Sequence, residues 1–160
     1  YRGERVVLMP FKPSTTLDNI AAVGHAVLNI VTDTRVFAGC VTGRRDWPTI
    51  AADTVPGVRL AAALAHVELR LADRVDDVQR PVLQMARVHE VRHAPFIGFN
   101  RAQAAVIEGA VLVSRLRMLP PEKVDAEMSY LQIAIDKTAG AEEHTGPARL
   151  RGRWRGDTCA

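Results

Sequence analysis

The chain lacks most of the signatures by which a catalytic site is read from sequence. It has two cysteines in 160 residues, Cys40 and Cys159, far apart and without paired spacing. That argues against both a disulfide framework and a cysteine-bound zinc. It has no Gly-x-Gly-x-x-Gly or P-loop sequence and no Gly-x-Ser-x-Gly elbow, so dinucleotide, P-loop and hydrolase readings are without their motifs. No apolar run reaches membrane-spanning length, since Glu108 interrupts the longest candidate, Ala104–Val113. No charged–apolar–small leader pattern opens the sequence. The default expectation is a cytoplasmic protein with no membrane partner.

A basic body is also missing. The sequence pI is about 9.2, but the excess is confined to the end. Setting aside Arg149, Arg151, Arg153, Arg155 and Asp157 from totals of 21 basic and 18 acidic residues leaves 17 of each. Nucleic acid is therefore not an expected partner of the fold. Arginines around Trp154 could grip phosphate and stack a base, but the composition of 140–160 reads more simply as a flexible tail.

What is present is enough apolar content, 48% of residues, for one well-cored domain. The most informative stretch comes first. The apolar run in Arg5-Val-Val-Leu-Met-Pro10 reads as a strand, with Met9 and Pro10 at its end, and the hydroxyl-rich Lys12-Pro-Ser-Thr-Thr16 follows it. Thr15 or Thr16 is expected to cap a short helix, and His25–Val31 reads as a second strand. Free N–H groups and the positive end of a helix favour an anion at such a junction. Lys12, Ser14, Thr15 and Thr16 add a cation and three hydroxyls. Simple helix capping is the plainer account of the same residues.

Further on, Thr32–Arg35 and Gly39–Pro48 read as turns, with Arg44, Arg45 and Trp47 exposed or at an interface, and 49–52 as a helical turn. His66–Ala72 alternates, with Val67, Leu69 and Leu71 against Glu68 and Arg70. Asp76, Asp77 and Pro81 mark a turn, and Val82–Arg92 reads as the returning strand. Asn100 caps a predicted helix with a wide face of small residues, from Ala102 and Ala105 to Gly109 and Ala110. Pro120 and Pro121 start a second helix, with Val124, Met128, Leu131 and Ile135 in register, and Gly140 ends it. The expected organisation is a core at 1–98, a helical hairpin at 99–139 and a tail at 140–160.

His89-Glu-Val-Arg-His93 matches the zinc-protease pattern, which needs both histidines on one helix face. Here the preceding residues alternate as a strand and Pro95 disfavours helix at Ala94. In an extended chain these histidines lie about 13 Å apart, too far to share one zinc, and no metal is expected. Asn29 inside an apolar strand must find a backbone or ligand partner. Arg101 at a helix start opposes the dipole, which calls for an anion or a neighbouring carboxylate such as Glu108. No residue stands out as a proton donor, base or nucleophile.

The Pro-Phe and hydroxyl-rich loop after the first strand, the Gly24-x-Ala-Val-x-Asn29 strand and the Gly98-Phe-Asn-Arg-Ala102 helix start occur together. In these the chain resembles a family of archaeal and methylotroph proteins defined as domain of unknown function 447. The resemblance spans most of residues 5–138, and Asn100-Arg-Ala-x-x-Ala-Val-Ile-Glu108 is its most specific part. It implies an α+β fold, a split β-barrel of the FMN-binding type with a C-terminal helical hairpin. It also implies FMN bound at a homodimer interface. The open readings are an oxidoreductase of unassigned substrate, a non-catalytic flavin-binding protein and a purely structural homodimer. Family members carry another strand pair upstream, so the chain is either a fragment or starts differently from them. Lys12, Ser14, Thr15 and Thr16 are then expected at the phosphate, with Met9 and Pro10 near the ribityl chain or ring. Asn19 would support the loop, and Asn100 and Arg101 are further contacts, reached across the dimer.

Overall fold

The structure, a computed structural model, describes residues 5–155, with the side chains of 141–145 and 154–155 excepted. The chain divides into two compact units, each assembled from separate stretches of sequence.

The first unit comprises residues up to Val31 together with Pro48–Pro95. Strands β1 (Arg5–Leu8), β2 (His25–Ile30), β5 (Ala65–Val75) and β6 (Val82–Arg92) form one antiparallel sheet in the order β1-β6-β5-β2. β3 (Thr49–Ala51) and β4 (Val58–Leu60) form a separate two-stranded ribbon. The fold is thus mixed helix and antiparallel sheet, and among the described residues neither sheet closes into a barrel. Residues 49–51 were expected as a helical turn. They are extended because β4 supplies their backbone partners, and β-branched Thr49 and Ile50 suit that conformation.

Period-2 patterning puts Val67 and Leu69 of β5 on one face, where they join Val6, Leu83 and Met85. Helix α1 (Thr15–Val23) buries Leu17 and Ile20 against that cluster. Each such side chain removed from water contributes about 1.5–3 kcal/mol. Gly24 ends α1 with φ of 70°, a left-handed cap whose N–H returns to Ile20 O at 2.8 Å.

The second unit comprises Thr32–Trp47 and the residues from Phe96 onward. Two of its helices match the expected hairpin: α3 (Arg101–Ser114), capped by Asn100, and α4 (Pro121–Thr138), opened by Pro120 and Pro121. The small residues of α3 do admit close neighbours. Ala105 packs with Ala134 and Ile135 of α4. Val106, Ala110 and Val113 pack with Ala38 and Leu150.

Those last two contacts belong to helices the sequence did not announce. α2 (Thr34–Val41) occupies a stretch expected to turn. Its glycine and β-branched residues are weak helix formers, and burial of Val36, Ala38 and Gly39 outweighs them. α5 (Ala141–Arg155) lies where a flexible tail was expected. Leu150 is fully buried, and a Cβ on Gly109 or Gly146 would meet Leu150 or Val106 at 3.2 or 3.1 Å. Absent side chains at those two positions are what let α5 close on α3.

Trp47 is half-buried within this unit, with Arg44 stacked 3.8 Å from its ring centre. A Cβ on Gly39 would sit 2.5 Å from the indole. Trp47 Nε1 is buried and has no hydrogen-bond partner among the described residues, so packing and Arg44 hold the ring. Gly39→Ala is expected to displace it and cost about 1–3 kcal/mol. A thermal melt with unchanged midpoint would show that the ring moves freely.

Candidate functional site

The loop between β1 and α1 forms the wall of a cleft. A cavity of about 450 Å³ is lined by Leu8, Met9, Pro10, Phe11, Pro13, Ser14, Thr16 and Ile20, within the size range of small-ligand sites. β1 delivers Met9 and Pro10 to its rim, and α1 presents its N-terminus from the other side. Ser14 caps the helix in place of the expected Thr15 or Thr16. Its extended backbone (φ −151°, ψ 119°) lets Oγ accept from Leu17 N at 3.3 Å. The N–H groups of Thr15 and Thr16 lie in the first turn, where no helical carbonyl serves them. Thr15 and Thr16 are both exposed, and Thr16 lines the cleft. Asn19 is exposed on α1 and is not part of the lining.

Lys12 turns toward the β5–β6 connection. Its Nζ donates to Asp77 O at 2.8 Å and its backbone N–H to Gln79 O at 2.9 Å. The Asp77 carboxylate is held below its usual range chiefly by the N–H groups of Arg80 and Gln79, with Lys12 a smaller contributor. Arg80 is a cation that no local motif singles out. Its guanidinium stacks 4.4 Å from the Phe11 ring centre and donates to Met9 O at 3.4 Å. Only the antiparallel return of β6 brings residue 80 beside residues 9–11, so its neighbours in sequence give no signal of it.

Asn100 and Arg101 belong to the second unit. Asn100 Oδ1 accepts from Ala102 N at 2.7 Å, and its Nδ2 donates to Thr138 O at 3.3 Å, which ties the start of α3 to the end of α4. Arg101 is exposed in the first turn of α3. Asn29 resolves to a backbone partner: its Oδ1 accepts from Leu60 N at 2.8 Å and so fastens β4.

A second polar centre lies on the face of β5 opposite the apolar cluster. His66 and Glu68 are fully buried. Glu68 accepts from the backbone N–H groups of Asp53, Thr54 and Val55 at 2.6, 2.8 and 2.6 Å. Burial alone would raise its pKa; the bonds from Val55 and Asp53, then His66 and Thr54, outweigh that and pull it down to about 2. His66 Nδ1 lies 2.9 Å from His93 Nε2. Both histidines of the protease-like motif thus gather around one on β5, His89 from within β6 and His93 from just past its end. A visible clue was His66-x-Glu68, which puts two ligand-type side chains on one strand face.

Comparison with known proteins adds to this geometry. No curated protein matches the chain. Among solved structures, an FMN-bound protein of Methanosarcina mazei from a family of unknown function (DUF447) superposes with a TM-score of 0.82 at 19% identity, over 96% of this chain and 83% of that one. An NADH:FAD oxidoreductase of Streptomyces globisporus matches at 10% identity and TM-score 0.49, over 56% of this chain and 58% of that one. A 2-nitrobenzoate 2-nitroreductase of Pseudomonas fluorescens matches at 21% and 0.48, over 56% and 49%. The first shows a shared fold. Residues 1–94 match the N-terminal domain model of the protein of unknown function DUF447, and residues 100–151 match its second model. The chain belongs to the DUF447 family.

Proposed function

We propose that the chain binds FMN, with the phosphate at the start of α1 and the ring system against the apolar rim of the β1–α1 cleft. The observation that carries this reading is the cleft itself, where an uncovered helix N-terminus and Thr16 share one cavity with Met9, Pro10 and Phe11. A family member with bound FMN supports it. The residues present fit the group. Thr15 and Thr16 would offer N–H and hydroxyl donors to phosphate. Ser14 would hold the turn. Lys12 spends one of its three donors on Asp77 O, leaving two for an anion. Arg80 adds charge beside Met9. Asn19 would support the helix from outside the lining.

The proposal includes a homodimer and a split-barrel arrangement, in which Asn100 and Arg101 would approach the flavin of a second copy. Large apolar side chains left in solvent favour such a partner: Ile97 is 94% and Phe99 98% exposed. Bound flavin would supply hydride or single-electron chemistry. The chain would supply position, polarity and exclusion of water. The function proposed is that of a flavin-dependent oxidoreductase of unspecified substrate, with a non-catalytic flavin carrier as the alternative.

The test is the visible spectrum of the protein after incubation with FMN and desalting. Retained bands near ~375 and ~450 nm, the flavin signature, are expected. Colourless folded protein would overturn the reading. Bleaching of the retained bands by a nicotinamide donor would favour the oxidoreductase, and inertness the carrier.

A further inference from the structure

The polar centre on β5 is not used by the flavin proposal. It lies at the far end of the β5–β6 hairpin from Lys12. Glu68 and Val75, which adjoins the turn that Lys12 touches, are seven residues apart on one strand, about 23 Å.

The spacing of its donor atoms is informative. His66 Nε2 lies 3.1 Å from Glu68 Oε1 and 3.5 Å from Asp53 Oδ2, and His89 Nε2 lies 3.4 Å from the same Asp53 oxygen. Hydrogen bonds of this type cluster at about 2.9–3.0 Å, so the two longer separations are loose ones. Ligands bonded at about 2.0–2.1 Å to a tetrahedral ion, however, sit about 3.3 Å from one another. One donor atom each from Asp53, His66 and Glu68 falls within 4.8 Å of the others.

We propose that Asp53 Oδ2, His66 Nε2 and Glu68 Oε1 bind a divalent first-row transition metal of the zinc class. The remaining valences agree. Glu68 Oε2 is saturated by Thr54 and Val55 N–H, while Oε1 accepts from Asp53 N and keeps one direction that now faces His66. Glu68 is therefore a one-oxygen ligand. His66 Nδ1 is held by His93 Nε2, which fixes the ring and leaves Nε2 for the ion, and His89 braces Asp53 in the same way. Two carboxylates balance a double positive charge. The donor set is nitrogen and oxygen without thiolate, which suits zinc, iron or manganese and not a soft ion. Asp53 is half exposed, which gives the ion a route in and a coordination position open to solvent. Bound there, the ion clamps the β3–β4 connection onto β5.

The test uses untagged, flavin-free protein dialysed against chelator, so its outcome does not depend on the FMN proposal. Co²⁺ is titrated while visible ligand-field bands are recorded, with Zn²⁺ as competitor. One equivalent per chain is expected, displaced by zinc. Asp53→Asn changes an exposed side chain and should weaken binding by about tenfold or more, and His93→Gln by about tenfold through the His66 ring. His66→Gln should abolish binding, read beside far-UV circular dichroism to confirm folding. Folded wild type without saturable Co²⁺ or Zn²⁺ binding would overturn the proposal. So would binding that Asp53→Asn leaves unchanged, since the ion would then lie elsewhere.

Discussion

Glu68→Gln is expected to remove about 3 kcal/mol of folding stability in metal-free protein, a large effect for so small a change in shape. The carboxylate receives three backbone N–H groups through two oxygens. Glutamine offers one oxygen. The amide turns that oxygen to Thr54 and Val55 N–H, and its nitrogen then meets Asp53 N–H donor to donor. One buried N–H group is orphaned, at about 1–3 kcal/mol, and the two remaining bonds lose their charge assistance. Urea unfolding measures the loss. Acid offers a second check with a definite sign. The Glu68 pKa is depressed from 4.5 to about 2 on folding, so its stabilisation is complete above the unfolded value and is lost as pH falls from there toward 2. The variant should show a flatter stability profile across that window. Equal urea midpoints and parallel acid profiles would mean the 53–55 connection does not depend on this side chain.

Thr16→Asp should lower FMN affinity by about 100-fold while leaving the fold as stable as before or slightly more so. The two effects have opposite signs for one physical reason. A carboxylate in the first turn interacts favourably with the helix end, by about 0.3–1 kcal/mol, but it repels a phosphate dianion at that place and removes a hydroxyl donor. Thr16 is exposed on the cleft wall, so the substitution does not perturb the core. Flavin fluorescence titration beside a thermal melt reads both quantities. Undiminished affinity in a folded variant would move the phosphate away from α1. Ser14→Ala is a poorer probe, because Ser14 Oγ caps Leu17 N and its loss also costs helix stability of about 1 kcal/mol.

The strands of the larger sheet and the hairpin helices were legible because their patterns are local. Val67, Leu69 and Leu71 alternate, Pro121 opens α4 and Asn100 caps α3, each within a few residues of the element it defines. α2 and α5 were not legible. Gly39, Gly146 and Pro147 argue against helix locally, and packing on α3 and of the two helices on each other reverses that. The β1–α1 loop stands out as an anion-site candidate, yet its cap falls one or two residues earlier than its hydroxyl pattern suggests. The direction of Lys12 could not be foreseen, since Asp77 lies 65 residues away. The strand argument against a zinc protease holds for His89, which sits in β6. The partners that make His89 and His93 interesting, Asp53 and His66, come from a loop and a strand joined only by tertiary structure.

The discontinuity of the second unit bears on how the protein is made. Thr32–Trp47 leaves the ribosome well before Phe96 and the helices beyond it, so α2 emerges with no element of its own unit to cover Ala38 and Gly39. Its weak intrinsic helicity then counts as an advantage, because a segment that stays unstructured does not present a formed apolar stripe to other chains during synthesis. The first unit is interrupted by the same segment, and it must close β5 and β6 onto β1 and β2 across that insertion. Nascent-chain maturation is therefore a late event here, completed when α3 and α5 arrive to claim a helix translated long before them.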